Sequence, residues 1–78
     1  MIEYGVILFF NISSVIRAEK VLKKKDFSIK LIPIPRQFST DCGIAVRFDW
    51  SQSDLVKPVL DEAKIEISAI RFLGTKEF

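Results

Sequence analysis

Histidine is absent from the chain, and cysteine, methionine, tryptophan and tyrosine each occur once, beside three glycines and three prolines. With no imidazole and a single thiol, the chain can build neither a zinc site with the usual nitrogen and sulfur ligands nor a Ser-His or Cys-His nucleophile pair. No metal or organic cofactor is expected, and neither is a self-contained hydrolase. The three glycines form no phosphate-cradling or dinucleotide fingerprint. The lone Cys42 has no partner for an internal disulfide, which points a small chain without staples to a reducing compartment, most simply the cytoplasm. The opening Met1-Ile2-Glu3-Tyr4 lacks a positively charged leader. The apolar run Val6 to Phe10 is far too short to span a bilayer, so neither secretion nor membrane insertion is expected.

What is present suits a small folded unit. Hydrophobic residues make up 49% of the 78 residues and charged residues 28%, with a formal net charge of +2. That apolar content is well above the range in which chains stay disordered, and the length allows one domain over residues 1–78. A domain this small buries little more than about 60% of the surface its unfolded chain exposes, so a partner surface could matter.

The hydrophobic pattern alternates between strand and helix periods. Tyr4 to Ile12 reads as a strand, and Ser13 and Ser14 supply hydroxyls suited to starting a helix. Val15, Ala18, Val21 and Leu22 then recur at helical spacing. Charges from Arg17 to Lys25 fill the remaining surface, and the terminal lysines suit the negative end of a helix dipole. Phe27 to Ile34 returns to a strand, with Ile29 and Leu31 on one face and Ile32 and Ile34 on the other. Pro33 and Pro35 place that strand at a sheet edge, because proline cannot donate to a ladder on both sides. A polar stretch from Arg36 to Asp41 precedes a third strand, Gly43 to Phe48. A second helix follows, with Asp49, Ser51 or Ser53 as its cap, an apolar stripe of Leu55, Val56, Val59, Leu60 and Ala63, and a kink or shifted start at Pro58. Ile65 to Leu73 is the fourth strand.

The order β-α-β-β-α-β predicts an α+β fold: a ferredoxin-like sandwich with a four-stranded antiparallel sheet and both helices on one face. In this arrangement the first and third strands are central. The first strand is apolar in both phases, with Val6, Leu8 and Phe10 in one and Ile7 and Phe9 in the other, although helices cover only one face. A homodimer or a docked protein is therefore expected on the second face. In that reading Ile7 and Phe9 are the positions whose replacement by Glu disrupts association. Trp50 is expected to anchor the core or an interface.

The least generic segment is Pro33-Ile34-Pro35-Arg36-Gln37-Phe38-Ser39-Thr40-Asp41-Cys42-Gly43. It joins stiff prolines to a thiol. Gly43 permits unusual backbone angles or a close approach, Arg36 is a local cation, and the hydroxyls of Ser39 and Thr40 can donate to a thiolate or persulfide. Asp41 opposes thiolate formation if its carboxylate approaches the sulfur. Position alone also allows a plainer reading, in which Cys42 is a core thiol at the start of an apolar strand, Arg36 a surface charge and the prolines a loop stiffener.

The spacing Pro-x-Pro-Arg-x-x-Ser-x-x-Cys-Gly, with Ala18-Glu19 and Leu22-Lys23 on the preceding helix, resembles a family of small selenium/sulfur carrier-like domains over nearly the whole chain. Pro33, Pro35, Arg36, Ser39, Cys42 and Gly43 match that pattern. The resemblance implies a cytoplasmic protein of selenium or sulfur metabolism in which Cys42 holds a terminal sulfur or selenium, exchanged between a donor and an acceptor protein. Cys42 would be the nucleophile, Arg36 an electrostatic stabiliser and Ser39 a hydrogen-bond donor, with Pro33, Pro35 and Gly43 shaping the loop. The alternative function is a non-catalytic dimeric binding or assembly module that uses the open sheet face, with Cys42 structural.

The same topology hosts RNA-recognition domains. Here, however, Ile44 and Val46 stand where stacking aromatics belong and Cys42 where Lys or Arg belongs, so no specific nucleic-acid binding is expected.

Overall fold

The hydrophobic pattern closes into one sheet and two helices. A computed structural model describes residues 2–34, 38 and 43–75. In chain order the elements are β1 (Tyr4–Leu8), α1 (Ile12–Lys24), β2 (Ile29–Pro33), β3 (Ile44–Asp49), α2 (Ser53–Glu62) and β4 (Ala69–Gly74), with a short 3-10 turn, Trp50–Gln52, leading into α2. The sheet order is β2-β3-β1-β4 and every neighbouring pair is antiparallel. This is the ferredoxin-like α+β arrangement, with β1 and β3 central and β2 at an edge. Pro33 ends the edge strand, where a missing N–H is tolerated.

The helix-covered face holds the larger core. Ile7, Val46 and Phe48 of the strands and the adjoining Phe9 pack with Val15, Ala18 and Leu22 of α1 and with Val56 and Leu60 of α2. Fully burying a side chain of this size contributes about 1.5–3 kcal/mol, so these few residues dominate the stability of so short a chain. Ile7 and Phe9 therefore belong beneath the helices and not on the second face, where the dimer reading had placed them. The alternation along β1 puts Val6 and Leu8 on that second face instead.

Several element boundaries differ from those the pattern predicts, each for a local reason. α1 begins earlier than Ser13: Asn11 has extended backbone and its side chain accepts the N–H of Ser14 at 2.9 Å. Asparagine is among the strongest cap residues, and its use ends the strand register at Leu8 and leaves the two serines inside the first turn. Of the proposed caps for the second helix, Asp49 bonds Ser51, but it does so at the start of the 3-10 turn. α2 itself starts at Ser53 and contains Pro58, so its start is not shifted past the proline. Position 58 is exposed, as is Asp54 four residues earlier, so water can reach the carbonyl that loses its helical donor. Leu55 is 59% exposed and lies off the buried stripe of Val56 and Leu60, turned about 100° around the helix from Val56. The predicted strand from Ile65 begins only at Ala69: residues 65–67 belong to no helix or strand, and Ser68 donates its backbone N–H to the carbonyl of Leu8 at 2.7 Å.

The second sheet face has its own apolar cluster. Val6, Leu8, Ile32, Ala45 and Leu73 are each at most 9% exposed within the single chain. Tyr4, Ile34, Phe38 and Ala69 pack against them.

Candidate functional site

The chain between β2 and β3 starts and ends on neighbouring strands. Pro33 and Ile44 are register partners, and one step further Ile34 donates its backbone N–H to the carbonyl of Gly43 at 3.2 Å. That bond closes the mouth of the connection across the sheet end. Gly43 has φ of +80°, and nothing lies within 4 Å of a Cβ built on it. Its role is thus conformational: a left-handed turn into β3, needed without any crowding.

Between these ends Phe38 is half-buried and packs against the second-face cluster of Val6, Leu8, Ile32, Ala45 and Leu73. The aromatic ring fixes the middle of the connection to the sheet. A shallow depression of about 210 Å³ at the mouth is lined by Leu31, Ile32, Pro33, Gly43 and Ile44. Its lining is apolar apart from exposed backbone.

Of the residues the sequence singles out, Pro33 and Gly43 flank this mouth, both exposed. Pro35, Arg36, Ser39 and Cys42 lie outside the described residues, as do Gln37, Thr40 and Asp41. Phe38 is the residue that sequence reasoning passed over, absorbed into a stretch read simply as polar. A single large aromatic inside a polar loop was the available signal.

The remaining candidates resolve as structural. Trp50 packs against Phe48 with ring centroids 6.0 Å apart and meets Phe72 edge-on at 5.2 Å, so it anchors the junction of the sheet and α2. The lysines ending α1 are exposed, and Lys23 pairs with Glu19 one turn back at 3.4 Å. Among the described residues no group of three acidic, histidine or cysteine side chains could hold a metal ion, and no helix is long and apolar enough to cross a membrane.

A family model described as "Putative Se/S carrier protein-like" matches residues 4–71. No curated protein and no solved structure matches significantly.

Proposed function

The chain belongs to the Se/S carrier-like family, and from that premise we propose that Cys42 carries a sulfur or selenium atom between two partner proteins. One observation supports this above the others: the chain has a single cysteine, so a covalent carrier of this family has one thiol with which to bind a chalcogen. The hairpin geometry agrees with such a role. Gly43, next to Cys42 in sequence, is exposed, and the two ends of the connection are pinned by the Ile34–Gly43 bond.

The transfer balances without an external oxidant. The Cys42 thiolate attacks the outer sulfur of a donor persulfide; the new S–S bond forms as the donor's own S–S bond breaks, and the donor departs as a thiolate. Cys42 now holds a persulfide. An acceptor nucleophile attacks its outer atom in turn, and the Cys42 thiolate leaves. For selenium, the same displacement passes through a selenyl sulfide. In this reading Arg36 stabilises the developing negative charge and Ser39 donates a hydrogen bond to the bound chalcogen, while Pro33, Pro35 and Gly43 shape the loop. The reducing cytoplasm, which keeps a solitary thiol free, is the matching compartment.

The competing reading is a homodimer through the second sheet face with Cys42 structural. It has less to gain, since the apolar residues of that face are already covered within one chain.

Intact mass spectrometry after incubation with glutathione persulfide tests the proposal. The wild type gains the mass of one sulfur atom, reducing agent removes it, and Cys42→Ser gains nothing. An unmodified wild type, or a thiol alkylated only after denaturation, overturns it.

A further inference from the structure

We propose that the second sheet face, beside the Cys42 loop, docks an acidic segment of the protein that gives or takes the chalcogen. The strand register makes the case. Lys30 of β2 pairs with Arg47 of β3, Arg47 with Val6 of β1, and Val6 with Arg71 of β4. Val6 belongs to the second-face cluster, so its cross-strand partners Arg47 and Arg71 share that face. Lys30 lies between Ile29 and Leu31, which pack under the helices, and therefore points the same way as Ile32. One row across the whole sheet thus reads Lys30, Arg47, Val6, Arg71.

Little negative charge on the strands stands beside Lys30 and Arg71 at the two ends of this row. Asp49 is their one acidic residue, and its carboxylate accepts from the backbone N–H of Ser51 at 3.0 Å and from its hydroxyl at 2.8 Å. Lys30 and Arg71 are exposed, and among the described residues no carboxylate pairs with either.

The spacing indicates what fits. Strands lie about 4.8 Å apart, so Lys30 and Arg71, three strands distant on this row, are separated by roughly 14 Å. That is too wide for one small oxyanion and suits several carboxylates along an extended or helical segment. A nucleic acid would need exposed rings on this face for base stacking. Tyr4 offers one, but the Arg47 guanidinium sits over it, 4.2 Å from the ring centroid.

The row also borders the loop. The neighbouring row on the same face, Ile32, Ala45, Leu8 and Ala69, lies about 7 Å along the strands toward the Ile34–Gly43 bond, and Phe38 and Ile34 pack against the cluster that it shares with Val6. A partner held by Lys30 and Arg71 lies beside Ile34 and Phe38, described residues next to and within the connection that carries Cys42. The identity of the partner as donor or acceptor rests on the carrier reading; the docking surface does not.

The test is fluorescence anisotropy of a labelled ten-residue oligoglutamate peptide titrated with the full chain at low salt. Two double variants remove the same charge: Lys30→Glu with Arg71→Glu on the sheet, and Lys24→Glu with Lys25→Glu at the exposed end of α1. The sheet variant is expected to weaken binding at least tenfold and the helix variant less than threefold, with affinity falling as salt rises. Equal losses, a larger loss in the helix variant, or tighter binding of a labelled ten-nucleotide oligouridine through Lys30 and Arg71 overturns the proposal. Circular dichroism checks folding, and Lys30→Ser with Arg71→Ser replaces the sheet variant if that variant unfolds. Repeating the titration with Cys42→Ser separates the two ideas. Unchanged peptide binding with no chalcogen loading in the wild type sinks the carrier and leaves the docking face standing, and normal loading with no peptide binding does the reverse.

Discussion

The indole of Trp50 lies on the backbone of Gly5. A Cβ built there would come within 2.9 Å of the indole Cζ3 and 2.8 Å of Phe48 Cζ, closer than side chains tolerate. Gly5 is thus required by its neighbours, on a central strand where glycine otherwise weakens the ladder. Gly5→Ala is expected to destabilise the fold by about 1–3 kcal/mol, the usual penalty for overpacking a well-filled site. Urea unfolding followed by Trp50 fluorescence reads this directly, and an unchanged midpoint would contradict the packing described.

Gly43 poses the opposite case, with open space and a constrained backbone. Gly43→Ala should lower stability by about 1–2 kcal/mol through the left-handed conformation alone. Gly43→Asn should lower it by less, since asparagine adopts that region more readily. If alanine and asparagine behave alike in urea unfolding, the positive φ is not what selects glycine here.

Asn11 rather than either serine caps α1. Asn11→Ala is expected to lose about 1 kcal/mol, whereas Ser13→Ala should stay within about 0.5 kcal/mol. A larger loss at Ser13 in chemical denaturation would move the helix start to where the sequence pattern first suggests it.

Pro58 sits inside α2 on its exposed side, where it withholds one backbone donor. Pro58→Ala should raise the unfolding midpoint, by an amount equivalent to about 1 kcal/mol or more once the greater freedom of the unfolded chain is set against the restored bond. A lower midpoint would mean that the rigid ring stabilises this turn of the helix.

The architecture was readable because its signals are local and periodic. Ile29, Leu31, Ile32 and Ile34 divide between two faces as a strand requires, and Val15, Ala18 and Leu22 recur at helical spacing and are buried. Element ends were less legible, since Asn11, Ser13 and Ser14 are all plausible caps and only the tertiary placement of β1 selects among them. The second face was harder still. Its apolar half was visible in β1, but its cover by Phe38 depends on a loop folding back, which no periodicity encodes. The row of Lys30, Arg47 and Arg71 was invisible for a related reason: those residues are far apart in the chain and become neighbours only through strand register. Of the candidate site, only the ends that the sequence singled out, Pro33 and Gly43, fall within the described residues, and the Ile34–Gly43 bond between them follows from the register of β2 and β3.

That bond sets a leash length. Residues 35–42 leave and rejoin the sheet at adjacent strands. Even fully stretched, a closed span of this size projects no more than about 14 Å, some four residue lengths out and four back. Phe38, held on the sheet midway, shortens it further. Under the carrier proposal, cargo on such a span does not swing between distant stations as it would on a long arm, and giver and receiver each visit the body of the protein, one after the other.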